Sequence, residues 1–530
     1  MEISLDGLFA QRNRRTIPLL GSGAATFRTL DDRINCNQIY SSELIQVNAS
    51  YHAGVNLGAI NFFTVPVMPI PPLFQEDLIN RYDKPGPRYT SYPPATEFHD
   101  QITESDYRDW ARLSNEEPIP KPLSLYFHIP FCSSICYYCA CNKVITKRKE
   151  RAEPYLQDLY REIEIQAQLF DSDREVHQLH WGGGTPGFLT HQQSQELMER
   201  IAQHFKLISD SESDYSIELD PRVIDKGGIA HLRGLGFNRI SLGVQDLDEK
   251  VQKAVNRIQS LELTSAIIND ARRVGIRSIN LDLIYGLPHQ TLASFSTTLD
   301  MIIDLDPDRI AMYNYAHLPH RFPPQRRIQA EDLPDSSEKL AILHSAIDKL
   351  CSAGYEYIGM DHFAKPGDEL AVAQRNGSLH RNFQGYSAHA QCDSLGFGIS
   401  AIGNVSDNFS QNTTDLTVYH DSLEKGQLPL VRGFQSDQDD LLRREIIQDL
   451  VCHFRLDMRR VSRKWGIDFS CQFADELARL DDMIKDGLVE LSGDEIIVLP
   501  PGRLLVRNIC MVFDRYQQTS NVHGLFSRTV

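Results

Sequence analysis

Four of the ten cysteines in this 530-residue chain, Cys132, Cys136, Cys139 and Cys141, fall within the short stretch HIPFCSSICYYCACNK. Thiols gathered this densely serve a disulfide staple, a structural zinc site or an iron–sulfur cluster. Dense disulfide frameworks belong to small secreted domains with too little core. This chain is far longer, and its remaining cysteines (Cys36, Cys351, Cys392, Cys452, Cys471, Cys510) stand singly. A structural zinc site usually joins paired ligands from separate points to close a tetrahedron. Here the spacing is C-x3-C-x2-C with a fourth cysteine two residues on, and no second pair follows. Three thiolates in one tight loop suit three irons of a 4Fe–4S cluster, with the fourth iron left open for a substrate or cofactor.

Such a loop needs a scaffold to position it. From about residue 120, apolar β-rich runs alternate with helix-patterned segments. The expected strands are 123–129, 176–181, 215–219, 239–244, 279–285 and 309–315, with 355–364 a candidate seventh. Between them lie patterns such as QQSQELMERIAQHF and LASFSTTLDMIIDL, with apolar residues three and four apart. This alternation predicts βαβ units and a parallel sheet, open or closed into a barrel. Polar or glycine-rich residues recur near the C-terminal ends of these strands: the cysteine loop, Gly182-Gly183-Gly184-Thr185, Glu218, Gln245 and Asp282. Taken singly, each reads as an ordinary strand terminus or cap. In succession on one edge they predict a ligand site, because parallel α/β folds bind there. The glycines are expected to let backbone approach a ligand closely and to offer N–H donors.

After about residue 430 the alternation stops. Helical segments (438–454, 472–486) lead into GLVELSGDEIIVL, a hairpin expected to turn at Ser492-Gly493-Asp494, and then GRLLVRNICMVFDRY. That order resembles a winged-helix arrangement. A net charge of −17 argues against DNA binding, so a lid or packing role is expected.

C-x3-C-x2-C straight after a strand, with an aromatic (Tyr138) before the third cysteine, is similar to the radical S-adenosylmethionine (SAM) signature. WGGGTP is similar to that superfamily's motif for the methionine amino group of SAM. Within the superfamily, the chain resembles the oxygen-independent coproporphyrinogen III oxidases from about residue 75 to 530. The resemblance is carried by PGPRYTSYP, HIPFCSSICYYCACNK, LHWGGGTP, GFNRISLGVQD, NLDLIYGLP, NYAHLP, YIGMDHFA, HRNFQGY, KDGLVEL and GRLLVRNICMVFD. The segment SAHAQCDSLGFG (387–398) departs more.

The resemblance implies an incomplete parallel (β/α)6 barrel with an N-terminal arm and a mostly helical, winged-helix-like C-terminal domain. It implies a 4Fe–4S cluster on Cys132, Cys136 and Cys139, with Cys141 outside the cluster and a candidate accessory residue. It also implies two SAM molecules, one at Tyr126, Gly183, Glu218 and Ile402. The second falls to Tyr138, Gly184, Thr185, Gln245, Arg257, Asp282 and Ala316. The residue types make physical sense, with Glu218 suited to an ammonium, Asp282 to ribose hydroxyls or an ammonium, and Arg257 to a carboxylate. The implied reaction converts two propionates of coproporphyrinogen III to vinyl groups, giving protoporphyrinogen IX, with a low-potential electron donor and a terminal acceptor as partners. Arg88 and Arg381 are candidates to anchor the substrate carboxylates. A related branch keeps the cluster but traffics haem as a chaperone; it typically lacks the fourth cysteine and the PGPRYTSYP arm, both present here.

The N-terminus lacks a basic n-region and a compact apolar core, so no signal peptide is expected. No apolar stretch approaches a membrane span. The expectation is a cytoplasmic monomer with no nucleic-acid or membrane partner, divided into an arm (68–115), a barrel (116–430) and a C-terminal domain (431–530). Residues 1–67 have no counterpart in the resemblance, and Met68 is the expected natural start.

Overall fold

The computed structural model describes residues 71–208, 213–389, 392–518 and 528; the extension 1–67 lies outside them. Six strands pair in parallel and lie side by side in chain order: β1 (Leu123–Ile129), β2 (Glu175–Gly183), β3 (Asp214–Leu219), β4 (Arg239–Gln245), β5 (Ser278–Tyr285) and β6 (Arg309–Asn314). Their connections carry α1 (Ala152–Ala167), α2 (His191–His204), α3 (Gly228–Gly234), α4 (Leu261–Arg273) and α5 (Leu292–Asp304), and α6 (Ser336–Ser352) follows β6. Local chemistry sets where these helices begin. Thr190 and Gln193 exchange side-chain and backbone hydrogen bonds at the start of α2, and Thr291 and Ser294 do so at the start of α5. Each exchange satisfies amides that the helix itself leaves unpaired.

The strands bury Leu125, Phe127, Leu179, Trp181, Ile217, Leu242, Leu281 and Ile310 almost completely. Each such side chain contributes about 1.5–3 kcal/mol. In β3, β4 and β5 fully buried residues alternate with partly exposed ones, the period-two pattern of strands with one packed face and one face turned to open space.

Two edges differ from the sequence expectation. The segment 355–364 is not one strand but a hairpin, β7 (Glu356–Gly359) and β8 (His362–Ala364), and β8 pairs antiparallel with β6. The chain reverses at Met360, which takes a left-handed φ of 54°. At the other edge a further parallel strand, β9 (Asp393–Phe397), pairs with β1 inside the segment that departs from the family pattern. The sheet then continues antiparallel through β10 (Ile402–Val405), β11 (Asn408–Asn412) and β12 (Leu430–Phe434). Gly396 permits this crowding, since a Cβ there would lie 2.8 Å from the Ile402 carbonyl.

Glu162 of α1 ties the helix layer to this edge. Fully buried, it accepts hydrogen bonds from the Gly398 N–H, the Tyr419 hydroxyl, Asn412 and Gln166 at 2.6–3.1 Å.

In the C-terminal part, α7 (Gln438–His453) matches its pattern, and the hairpin Val489–Ser492/Glu495–Val498 turns with Gly493 at φ 61°. A third strand, Arg455–Asp457, completes that small sheet. The expected helix 472–486 is broken into Phe469–Gln472, Ala474–Arg479 and Asp481–Lys485. Phe473 leaves helical geometry as its ring packs between Phe469 and Phe513, so burial overrides helix propensity. The final helix α8 (Val506–Phe513) holds the arm: Arg507 donates to the carbonyls of Gly86 and Pro87, and the Tyr89 hydroxyl donates to Asp514. Among the described residues no helix is long and apolar enough to cross a membrane.

Burial raises the Glu162 carboxyl from 4.5 to about 7, although its four donors oppose this. Below pH 4.5 the group is protonated in both folded and unfolded chains. Between 4.5 and 7 only the unfolded chain ionises readily, so stability is lost as pH rises through that window. Relative to Glu162→Gln, the wild type is expected to lose up to about 3 kcal/mol between pH 4.5 and 7 and to stay level above. Denaturant unfolding of both proteins across that range checks this; a constant difference would contradict it.

Candidate active site

Two cavities share one wall, and the first runs along the parallel strands from Asp214, Arg239, Ser278 and Arg309 at their starts to Glu218 and Gln245 at their C-terminal ends. The first, about 420 Å³, is lined by Cys132, Cys136, Cys139 and Cys141 together with Tyr138, Gly183, Gly184, Thr185, Glu218, Gln245, Arg257 and Asp282. The second, about 490 Å³, is lined by Tyr126, Ile402 and Arg381 and again by Cys141, Gly183 and Glu218. Residues nearly 300 positions apart are thereby brought to one place. Tyr126 pairs in register with His180 on one side and with Gly396 on the other, and Gly396 sits against Ile402.

The glycine run sets how closely these parts meet. A Cβ on Gly184 would lie 2.7 Å from the Pro130 carbonyl, and one on Gly183 would lie 2.7 Å from the His128 ring. Gly183 also holds φ 114°, a left-handed conformation that side chains disfavour. The N–H donors expected to be free for a ligand are not free. Gly183 donates to Glu218, Gly184 to the Ile129 carbonyl and Thr185 to the Phe131 carbonyl. The run therefore works by close packing of β2 against the cysteine loop, and the donors are spent within the fold.

Glu218, near the end of β3, lies deep in the protein but keeps 46 % of its side chain open to cavity space. Burial pushes its carboxyl up; contacts to His180, the Gly183 N–H and the nearby His128 ring outweigh this and leave it below the ordinary value. Asp282 lies in the middle of β5 and accepts from Ser241 (2.7 Å) and Asn280 (2.9 Å). Burial first, with the Glu218 charge adding, raises it to about 6. Gln245 ends β4 at a bulge and holds φ 70°. Strain of this kind concentrates at functional sites.

Around the thiols the charge reverses. Arg257, buried to 6 % exposure, donates to Asp220 at 3.1 Å and approaches the Cys136 sulfur at 3.6 Å. Arg222 reaches the same sulfur at 3.5 Å. The Arg257 Nε is buried without a partner. A hydrogen bond from Cys141, opposed by burial and aided by the Lys143 ammonium, lowers the Cys139 thiol to about 6. Burial raises Cys132 to about 12.

Two candidate residues lie elsewhere. Arg88 is paired with Asp361 and lines a third cavity under the arm, so it bridges structure instead of facing the cysteine loop. Ala316 also lines that third cavity; Gln325 links it to the site by donating to both the Ala316 and Tyr138 carbonyls. Arg381 does face the second cavity. It is 3 % exposed, and its Nη1 has no partner. Sequence reasoning gave no role to His128, His180, Asp220, Arg222 or Gln325. The first two stand inside the cysteine and glycine motifs, and Asp220 and Arg222 follow Glu218 within four residues. Gln325 carries no local signal.

Among the described residues no three His, Cys, Asp or Glu side chains gather as a single-ion site. The cysteines instead line a shared cavity beside two arginines. That donor set fits a polynuclear cluster held by thiolates, and cationic neighbours favour the thiolate form.

The Radical SAM superfamily model matches residues 126–302. Class and fold follow together: this is a radical SAM protein, mixed α/β around a parallel sheet, and that class implies a 4Fe–4S cluster and SAM. Oxygen-independent coproporphyrinogen III oxidase from Pseudomonas aeruginosa is 52% identical over 454 residues, 86% of this chain and 98% of that protein. The Escherichia coli protein of the same name is 47% identical over equal shares. The solved structure of coproporphyrinogen III oxidase (HemN) from Escherichia coli superposes with a TM-score of 0.80 at 45% identity, covering 84% of this chain and all of that one. The chain belongs to the oxygen-independent coproporphyrinogen III oxidase family.

Gly184→Ala tests the packing argument. The added methyl meets backbone at Pro130, which has no side-chain freedom to yield. Iron and sulfide content after anaerobic reconstitution is expected to fall several-fold while far-ultraviolet circular dichroism stays near the parent's. Undiminished iron would refute it.

Proposed function

We propose that this protein oxidatively decarboxylates two propionate side chains of coproporphyrinogen III to vinyl groups without oxygen, giving protoporphyrinogen IX. One observation carries the reading: Cys132, Cys136 and Cys139 meet Glu218, Arg257 and Asp282 in one cavity. The relatives that name the substrate match over 98% of their own length.

Cys132, Cys136 and Cys139 would hold the 4Fe–4S cluster, and Cys141, the exposed member of the four, would not. With SAM bound, the cofactors supply the electron and the radical that removes hydrogen from a propionate β-carbon. The protein's own part is recognition and exclusion of water. Tyr126, Gly183, Glu218 and Ile402 line the second cavity and would take one SAM; Glu218, held as a carboxylate, meets its ammonium. Tyr138, Gly184, Thr185, Gln245, Arg257 and Asp282 line the first and would take another, with Ala316 reaching it through Gln325. Arg257 meets a carboxylate, and Asp282, ionised above about pH 6, meets hydroxyls or an ammonium. Arg381 lines the second cavity and would meet the substrate's carboxylates there, whereas Arg88 is already paired to Asp361. Strands β1–β6 read as an incomplete six-stranded barrel. Residues 431–530 read as a winged-helix-like packing domain that secures the arm 68–115. We place the protein in the cytoplasm as a monomer served by a low-potential donor and a terminal acceptor, with no nucleic-acid or membrane partner.

Anaerobic turnover tests the activity. With a low-potential reductant and an acceptor from cell extract, coproporphyrinogen III should yield protoporphyrinogen IX with about two SAM cleaved per product. Asp282→Ala should slow turnover at least tenfold and spare the cluster. Tight haem binding with coproporphyrinogen III left unchanged would instead favour a chaperone.

The ligand set is checked separately. Cys141→Ser should keep iron content and the 4Fe–4S absorption near the parent's, whereas Cys136→Ser should lose both. Equal losses in the two variants would overturn the three-ligand assignment.

A further inference from the structure

An electron has to reach the cysteine loop from outside, and one surface beside it carries exposed cations. In a chain of net charge −17, residues 143–151 carry Lys143, Lys147, Arg148, Lys149 and Arg151 against the single acid Glu150. The fold sorts these cations. Lys143 turns inward, donating to the carbonyls of Cys139 and Cys141 at 3.0 and 3.1 Å. Lys149 donates to the Phe188 carbonyl and lies over the Phe188 ring. Lys147, Arg148 and Arg151 are exposed, and no acidic side chain pairs with them among the described residues.

Their position is fixed by the thiol loop itself. Phe131 and Cys132 pair in parallel with Val144 and Ile145, and the Thr146 N–H donates to the Cys132 carbonyl at 2.9 Å. Lys147 and Arg148 therefore follow within three residues of a residue bonded in register to a proposed cluster ligand. Ile145, 42 % exposed, adds an apolar centre beside the unpaired cations. An apolar contact rimmed by charge is a common make-up for a protein–protein interface.

Resting on the function proposed above, we infer that Ile145, Lys147, Arg148 and Arg151 form the docking surface for a small acidic one-electron carrier protein. The carrier gives up one electron and is oxidised; the cluster held by Cys132, Cys136 and Cys139 gains it. Charge complementarity selects this occupant. The bulk of this acidic molecule repels an acidic carrier, so long-range steering is attractive only where the local field is positive. A basic or neutral carrier would gain nothing from the patch.

The test uses the full chain with its cluster reconstituted anaerobically and an acidic plant-type ferredoxin as the carrier. Lys147→Glu, Arg148→Glu and Arg151→Glu are combined in one variant. A charge-matched control combines Lys425→Glu, Arg463→Glu and Lys485→Glu. Affinity for oxidised ferredoxin is measured by calorimetry, and the rate of cluster reduction by reduced ferredoxin is followed by absorbance at low and high salt. The patch variant is expected to bind and to accept electrons about tenfold less well at low salt. Its difference from wild type should vanish at high salt. Its iron content and its reduction by dithionite should match the wild type, and the control variant should behave as wild type throughout. Undiminished affinity in the patch variant, an equal loss in the control, or no binding by the wild type would each overturn the inference. Failure of the oxidase reading would show differently, as cluster-loaded wild type that dithionite reduces but that leaves coproporphyrinogen III unconverted.

Discussion

The chain leaving β1 and the chain leaving β2 lie in backbone contact, and the site depends on that contact. Gly183 and Gly184 press against His128 and Pro130 with no space for a methyl group. Because they do, the cysteine loop is fastened by hydrogen bonds from Gly184 and Thr185 to Ile129 and Phe131. The Thr185 hydroxyl then accepts the Asp220 N–H, so the exit of β3 is drawn to the same point. One steric constraint thus brings three consecutive strand ends together. Glycine's conformational cost in a strand is offset here by what its missing side chain permits.

Electrostatics follow from this packing. Four thiols share a cavity with the carboxylates of Asp214, Glu218, Asp220 and Asp282 within an acidic chain. Unrelieved, burial would drive these groups to their neutral forms. Arg257 and Arg222 answer locally, joining Asp220 and the Cys136 sulfur in one cationic cluster. Glu218 and Asp282 are treated differently. Glu218 has His180 and the Gly183 amide and is held ionised, while Asp282 has only the neutral donors Ser241 and Asn280 in direct contact and rises to about 6. Two acids on strands one apart in the sheet therefore present different protonation behaviour to whatever enters.

The outer parts matter through what they hold in place. The arm is clamped by Arg507 and Tyr89 to the C-terminal helix, and Arg444 of α7 donates to the Tyr92 carbonyl. At the opposite edge Glu162 anchors α1 to the turn after β9, close to where Ile402 enters the second cavity. Both devices bury ionisable groups within hydrogen-bond networks, which makes them specific in geometry and intolerant of partial loss.

Much of the fold was legible in the chain alone. β1 to β6 show in the sequence because each is a short apolar run bounded by polar residues. The cysteine spacing marks the loop because ligand geometry is local in the chain. The edges were less legible: β9 is short and contains Gly396, and 355–364 reads as one strand although Gly359 and Asp361 flank the turn at Met360. Composition foresaw open amides on the glycine run; the fold consumed them, since a donor's availability depends on which carbonyls pack beside it. Arg88 and Arg381 are both candidate anchors in the sequence, yet one is paired with Asp361 and the other lines the second cavity. The sequence by itself determined which chemistry was at hand, because ligand type and spacing are properties of the chain. Only the tertiary structure decided which charges remain free to use it, because pairing and burial are set by residues hundreds of positions away.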